Sequence, residues 1–162
     1  MTLRPRLAAA FVLASWAWTI ALVAVPLASA RAPEVRLPAS VSASVYLAGG
    51  FLCHQRAGRS FHPWGVRMPV CARCFGLYAS ASLGAVAGLF AGVTGAHGRR
   101  RRLTAHRLRV GLALAAVPTG LIWLVEWLGL AYPPAIVRAA LAVPLGATVG
   151  WIVTTAIGHE IG

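Results

Sequence analysis

The residues best suited to chemistry lie close together in the first half of the chain. All three cysteines, Cys53, Cys71 and Cys74, fall between positions 53 and 74. Two thiolates in a C-x-x-C spacing can hold one metal ion from a single turn, and a tetrahedral site then needs two further ligands. Cys53 can supply one, and either His54 or His62 can supply the other. This donor set suits zinc, or alternatively an iron–sulfur cluster, so the sequence predicts a metal site.

Two other interpretations of the same cysteines remain open. C-x-x-C is also the spacing of disulfide-exchange motifs, and Arg73, which lies between Cys71 and Cys74, would lower a thiol pKa. In an oxidising compartment this redox pair could close a disulfide and leave Cys53 free to attack or resolve it. The third interpretation is a structural disulfide that fastens the segment to the next helix, although an odd number of cysteines fits it less well.

Several arginines accompany the cysteines and suggest an anion-binding role. Guanidinium groups bind carboxylate and phosphate oxygens through paired hydrogen bonds. We expect Arg59, Arg73 and Arg138 to orient an anionic group, such as the headgroup of an anionic lipid or a phosphorylated ligand. The competing interpretation is that these charges only contact lipid phosphate at the membrane surface.

Glu126 is the candidate catalytic residue, because it lies in a long apolar segment, where an ionisable side chain is by default a functional hypothesis. It would balance charge or move a proton. Since the segment ends about one turn later, snorkelling of the carboxylate to water is the competing interpretation. Helix counting puts this end at the same membrane face as the cysteines and Arg138. Three elements are therefore expected to bring polar side chains to one depth.

These side chains belong to a chain with the composition of a membrane protein. Of its 162 residues, 59% are hydrophobic and 11% are charged, against about 25% charged in soluble domains. Four apolar runs are near the ~20 residues that a helix needs to cross a bilayer. They predict an all-α fold, a polytopic helical bundle that forms a single domain over residues 1–162. The predicted spans are 7–30, 75–96, 110–131 and 136–157, and the shorter run 41–52 is predicted to be interfacial or re-entrant.

The first span has an alternative interpretation as a signal peptide. Pro26 followed by Ala28-Ser29-Ala30 is similar to the end of a cleavable leader. The apolar run is longer than a usual signal core, and this favours a retained helix. Both interpretations put the residues from Arg31 onward on the far side of the membrane.

Arginine placement predicts the orientation in the cell (inner) membrane. Helix counting puts the N-terminus and the loop 97–109 on one side, and that loop contains six arginines. Because positive charge concentrates in cytoplasmic loops, we expect this loop to be cytoplasmic and the cysteine segment 53–74 to face outward. The net charge of +12 is explained in the same way. No nucleic-acid-binding signature accompanies it, so the expected partner is the lipid bilayer and not a nucleic acid.

Small residues recur at every fourth position in the second and fourth predicted spans. Residues four apart share a helix face, and small ones let two backbones approach closely in lipid. We expect these stripes to form helix contacts, either within the bundle or with a second copy in a homo-oligomer. The stripes are Gly76, Ser80, Gly84, Gly88 and Gly92 in one span and Ala142, Gly146, Gly150, Thr154 and Gly158 in the other.

The motifs also resemble a known family. Cys53-His54-Gln55, then Arg-Ser-Phe at 59–61 and PVCARCFGLY at 69–78, are similar to those of small prokaryotic integral-membrane proteins called domain of unknown function 2085. The resemblance is close from Cys53 to about Gly84 and weaker from 118 to 146. It implies an integral-membrane fold and importance for the Cys-His-Gln and Cys-x-Arg-Cys elements, and it implies no activity. Ile122 stands where an acidic residue is expected, which disfavours a mechanism that needs two carboxylates.

The sequence therefore predicts an integral membrane protein with a Cys/His zinc site at the outer face, which acts on or binds an anionic group. One alternative is a membrane thiol–disulfide oxidoreductase that uses the C-x-x-C pair. Another is a non-catalytic scaffold or transport subunit, in which the small-residue stripes would be the functional feature. Whether the protein is an enzyme is left open.

Overall fold

The fold, a computed structural model, is described for residues 3–31, 37–93 and 105–158. Within these ranges the chain forms five α-helices and no strand. The helices are α1 (Leu3–Ala30), α2 (Ala39–Leu52), α3 (Ala72–Val93), α4 (Ala105–Trp127) and α5 (Ala135–Gly158). Between α2 and α3 the cysteine segment contains two single 3-10 turns, Ala57–Arg59 and Pro63–Gly65.

Four of these helices are long and apolar enough to cross a membrane. The candidate spans are Arg4–Ala30, Ala72–Ala91, His106–Trp127 and Ala135–Gly158. A backbone in lipid has to satisfy its own hydrogen bonds, which is why long apolar runs become helices there. Helix α2 has 14 residues, too few to cross about 30 Å of hydrocarbon. The predicted all-α membrane bundle with about four spanning helices is confirmed.

Helices α3 and α5 form a close-packed interface, which we call the seam. A Cβ atom added at Gly84 would overlap the backbone of Ala147, and one added at Gly150 would overlap the backbone of Ala81. The helices can approach this closely because glycine has no side chain at the contact. The two small-residue stripes thus face each other within one chain.

The other spans pack around this pair. Helix α1 contacts α3 through a buried hydrogen bond of 2.9 Å between the hydroxyl groups of Thr19 and Ser82. Helix α4 contacts α5, where the Thr119 hydroxyl donates to the carbonyl of Leu141 at 2.8 Å. The rest of the chain leaves most of the α4 surface uncovered, so in a bilayer this helix presents the larger part of its surface to lipid.

Two predictions concern residues outside the described ranges. Residues 94–96 of the second predicted span and residues 97–104 of the basic loop belong to this part of the chain. The remainder of the loop, from Ala105 to Arg109, forms the first turns of α4.

One end of the bundle brings together the parts of the chain that carry the predicted site. Arg73 in the first turn of α3, Glu126 near the end of α4 and Arg138 in the first turn of α5 contact one another there. The cysteine segment lies against the same end, since the carbonyl of Gly58 accepts a hydrogen bond from Arg138.

Candidate metal centre and arginine cluster

The end of α2 is fastened to the stretch that precedes α3, and this brings distant cysteines together. The side-chain amide of Gln55 donates to the carbonyls of Tyr46, at 2.6 Å, and Pro69, at 2.7 Å. Gln55 reaches both with a left-handed backbone, at a φ of 44°, a conformation that non-glycine residues seldom adopt. A Cβ atom added at Gly49 would meet the carbonyl oxygen of Pro69, so α2 can approach this stretch only with glycine there.

As a result the three cysteines form one cluster, the cysteine group (Cys53, Cys71 and Cys74). Their Sγ atoms all lie within 4.8 Å of one another, and no disulfide joins them. Three thiolates around one zinc ion at Zn–S distances of about 2.3 Å would lie roughly 3.8 Å apart in a tetrahedron. Small side-chain adjustments would therefore convert the observed cluster into a ligand set.

Hydrogen bonds stabilise negative charge on two of these sulfur atoms, those of Cys53 and Cys71. The amide of Cys71 donates to the Sγ of Cys53 at 3.2 Å. Cys71 immediately precedes α3, where helix amides have no partner within the helix. Hydrogen bonds from the Cys74 thiol and then from the amides of Cys74 and Arg73 hold the pKa of Cys71 well below its usual range, although burial acts in the opposite direction. A lowered thiol pKa favours the thiolate, the form that binds metals and attacks disulfides.

Next to the cysteine group, three guanidinium groups surround one carboxylate. We call Arg59, Arg73 and Arg138 together with Glu126 the arginine cluster. Arg138 Nε donates to Glu126 Oε1 at 2.6 Å, and Arg73 Nη2 donates to Oε2 at 3.2 Å. Arg59 Nη1 lies 3.8 Å from Oε2. The side chains of Glu126 and Arg138 are only 2% and 6% exposed, so the carboxylate is held inside the protein by its partners.

A single cavity of about 350 Å³ joins the cysteine group to the arginine cluster. Its lining takes the cysteines from the loop and α3, and the charged residues from the loop, α3, α4 and α5. Since both groups line the same space, a molecule in the cavity would contact sulfur on one side and guanidinium on the other. The lining residues are Leu52, Cys53, His54, Gln55, Arg56, Arg59, Cys71, Arg73, Cys74, Trp123, Glu126 and Arg138.

The two predicted histidine ligands take different positions. Among the described residues, the cluster of candidate metal ligands contains only the three cysteines. His54 lines the cavity, but its side chain is exposed. It follows Cys53, whose backbone is extended, and successive side chains point to opposite sides of an extended chain. His62 lies outside the cavity lining and is exposed. The structure therefore brings together three of the five predicted metal ligands.

Sequence reasoning missed the residues that hold the cavity in shape. The sequence presents Gln55 only as part of the Cys-His-Gln motif, yet its amide connects α2 to the stretch before α3. The Tyr46 hydroxyl, which donates to the carbonyl of Arg67, reinforces that connection. Trp123 forms part of the cavity wall. Polarity next to Cys53 was the signal for Gln55, whereas no sequence pattern distinguishes Trp123 from the other tryptophans of the spans.

Comparison with known proteins agrees with the membrane fold. The family described as "Predicted membrane protein (DUF2085)" matches residues 53–152, which include the cysteine group and the arginine cluster. An uncharacterized protein of Methanocaldococcus jannaschii is 41% identical over 46 residues, which cover 28% of this chain and 30% of the relative. The match thus spans less than a third of the relative's length. No solved structure matches the chain. Together with four apolar spanning helices, the family match identifies a multi-pass membrane protein.

Proposed function

The chain belongs to the DUF2085 family of predicted membrane proteins, and from the geometry of its site we propose that it binds a metal ion next to a pocket for an anionic group. Cys53, Cys71 and Cys74 hold the metal, which is zinc. The arginine cluster holds the anionic group. The observation that carries this proposal is the meeting of three sulfur atoms from two distant parts of the chain at a charged cavity.

The ligand set supports a zinc site with one open coordination position. Structural zinc sites are closed by four protein ligands, whereas catalytic sites have three and leave the fourth position to water or substrate. The cysteine group provides three sulfur ligands and lines the cavity. Thiolate-rich sets favour zinc, copper(I) or iron–sulfur clusters over hard cations such as magnesium. A zinc ion with an open position acts as a Lewis acid and activates a bound water molecule.

The charge balance of the arginine cluster supports the anion pocket. Three guanidinium groups contact one carboxylate, so these four residues together carry a net charge of +2. A partly buried site with excess positive charge attracts anions more strongly than an exposed one, because charges in a low dielectric interact more strongly. Glu126 balances part of this charge and holds Arg73 and Arg138 in position. Its proposed role in moving a proton rests on its place at the cavity wall.

We propose that the site faces the outside of the cell (inner) membrane. The arginine-rich loop between α3 and α4 and the N-terminus lie on one side by helix counting, and positive charge concentrates on the cytoplasmic side. The start of α3 and the end of α4 then lie at the outer face, with the cavity between them.

Metal analysis of the purified protein tests the metal site. We expect stoichiometric zinc in the wild type and its loss in Cys71→Ser and Cys53→Ser, since each substitution removes a ligand. His54→Ala and His62→Ala are matched controls and are expected to retain the metal, because neither histidine belongs to the sulfur cluster. Wild-type protein that is free of metal after purification without chelators would reject the proposal.

The second candidate function is thiol–disulfide exchange by the redox pair. It is favoured by the position of Cys71 directly before α3 and of Cys74 in the first turn of that helix, since helix N-termini stabilise thiolates. In this reaction the Cys71 and Cys74 thiols transfer two electrons and two protons to a disulfide of a partner protein. The partner disulfide becomes two thiols, and a Cys71–Cys74 disulfide forms.

Thiol trapping in intact cells separates the two candidates. Rapid acid quenching followed by alkylation reports the fraction of each cysteine in the thiol form. A redox pair gives a mixture of dithiol and disulfide that shifts with added reductant. A metal site gives cysteines that stay in the thiol form whether or not reductant is added.

A further inference from the structure

We propose that the anionic group is the phosphate of a membrane lipid, which enters the cavity sideways from the bilayer between the end of α2 and α4. This inference rests on the proposed function, because it assigns a substrate class to the anion pocket of the same site. It is carried by two features of the cavity: unused guanidinium donors in the interior and exposed apolar side chains at the edge.

The interior offers hydrogen-bond donors that the protein leaves unused. A guanidinium group has five N–H donors, and among the described residues Arg73 makes a single hydrogen bond, to Glu126. Its Nε is buried and has no partner. An unpaired buried donor is costly, and Arg73 lines the cavity. An oxyanion in the cavity would accept from this group and from the neighbouring Arg59.

One part of the cavity edge is apolar and would face lipid in a bilayer. Leu52, the last residue of α2, is 66% exposed, and Trp123 of α4 is 52% exposed. Both line the same cavity as the arginines. Trp123 lies within the candidate span His106–Trp127, so its exposed surface would contact lipid in a bilayer. A soluble anion would gain nothing from contact with these apolar side chains. An amphiphile would place its headgroup on the arginines and its acyl chains along Leu52 and Trp123.

The size of the cavity fits a headgroup and not a whole lipid. Its volume of about 350 Å³ is at the low end of the range of about 300–1,000 Å³ for small-molecule sites. The acyl chains would therefore stay in the bilayer. Phosphate suits the cluster better than carboxylate, because it offers more acceptor oxygens to guanidinium groups that come from α3, α5 and the loop. The phosphate would also lie beside the open position of the metal.

Three matched probes test this inference on the purified full-length protein in an uncharged detergent. The probes are dioctanoyl phosphatidate, glycerol 3-phosphate, which has the phosphate without the chains, and dioctanoylglycerol, which has the chains without the phosphate. We expect saturable binding of the phosphatidate and at least about tenfold weaker binding of both other probes, equivalent to about 1.4 kcal/mol. Glycerol 3-phosphate that binds as tightly as the lipid identifies a soluble phosphate ligand, and dioctanoylglycerol that does so identifies a purely apolar groove. Either result overturns the proposal.

Single-residue variants test whether the phosphatidate binds in the cavity. Arg73→Gln removes the unused donors, and Trp123→Ala removes part of the apolar edge without touching a charge. We expect each to weaken phosphatidate binding by about tenfold or more. Arg31→Gln is the matched control, because Arg31 is exposed and lies outside the cavity, and it should bind as the wild type does. Equal binding by all four proteins would show non-specific association with the micelle. If Arg73→Gln fails to fold, Trp123→Ala alone decides between these outcomes.

The metal content of the same samples separates this inference from the proposed function. Zinc-loaded protein that binds phosphatidate no better than glycerol 3-phosphate refutes only the lipid assignment. Metal-free protein that still discriminates in favour of the lipid refutes the metal site and leaves the lipid assignment standing.

Discussion

The seam and part of the cavity wall belong to the same two helices, α3 and α5, but use opposite chemistry. Along the seam α3 and α5 contact each other through glycine and backbone, as at Gly84 and Gly150. At one end of the same helices, Arg73 and Arg138 carry charge into a partly open space. In the seam the two helices are in close contact and leave no space for a ligand, whereas the cavity has unused hydrogen-bond donors and thiol groups.

This difference shows how an apolar helical bundle can position a polar site. The first tight contact of the seam is at Gly76, where an added Cβ atom would overlap the backbone of Ala139. Gly76 lies less than one turn from Arg73, and Ala139 is next to Arg138. The seam thus fixes the distance between the two guanidinium groups that hold Glu126, and the site gains its geometry from close packing of glycine against backbone.

The largest effect is expected from removing the negative charge at the centre of the arginine cluster. Glu126→Gln leaves Arg138 buried without its partner, and breaking a buried ion pair in this way costs about 3–5 kcal/mol. Unfolding of the purified protein in mixed micelles with increasing dodecyl sulfate measures this cost. The double variant Glu126→Gln/Arg138→Gln should recover part of the stability, because no unpaired charge remains. A single variant as stable as the wild type would show that the carboxylate is solvated and not held by the arginines.

Adding one methyl group to a glycine of the seam is expected to destabilise the protein. Gly150→Ala would force α5 away from Ala81, and overpacking of this kind typically costs about 1–3 kcal/mol. Gly120→Ala is the matched control, since nothing lies within 4 Å of an added Cβ atom there. In a helix this control should be neutral or stabilising by up to about 1 kcal/mol. Equal unfolding curves for the two variants would contradict the close contact between α3 and α5.

Loss of the hydrogen bonds made by Gln55 is expected to change the metal affinity of the site more than the stability of the bundle. Gln55→Ala removes two hydrogen bonds that hold Tyr46 and Pro69 together, each with a net contribution of about 1 kcal/mol. Because these bonds set the position of Cys53, we also expect metal affinity to fall by about 10–100-fold, as for other residues that orient ligands. Competition with a zinc chelator measures the affinity. Ser44→Ala is the control on the exposed side of α2, and it should change neither quantity.

The smallest effect is expected at the contact between α1 and α3. Thr19→Val removes the buried hydrogen bond to Ser82, and hydrogen bonds between membrane helices are worth about 0.6 kcal/mol on average. Thr148→Val serves as the comparison, because among the described residues the Thr148 hydroxyl bonds within its own helix, to the carbonyl of Pro144. A difference of several kcal/mol between these variants would mean that α1 is as important to the bundle as the seam.

The sequence by itself determined the helices and their polar ends. Long apolar runs have only one way to satisfy their backbone in lipid, so the spans follow from composition alone. The four-residue period was enough to place Arg138 on the same face as Ala142 and Gly146, and all three are buried on α5. The C-x-x-C spacing likewise implied that Cys71 and Cys74 would be neighbours, because two residues three apart can lie within one turn.

Only the tertiary structure decided which side chains meet. Cys53 reaches the other two cysteines because the Gln55 amide and the missing side chain of Gly49 bring α2 against Pro69, and no local pattern encodes that contact. Glu126 had several arginines as candidate partners, and the packing of α3, α4 and α5 selected three of them. Periodicity describes one helix at a time, whereas a site made from four segments depends on the distances between those segments. The close approach of backbones at a few glycines sets these distances.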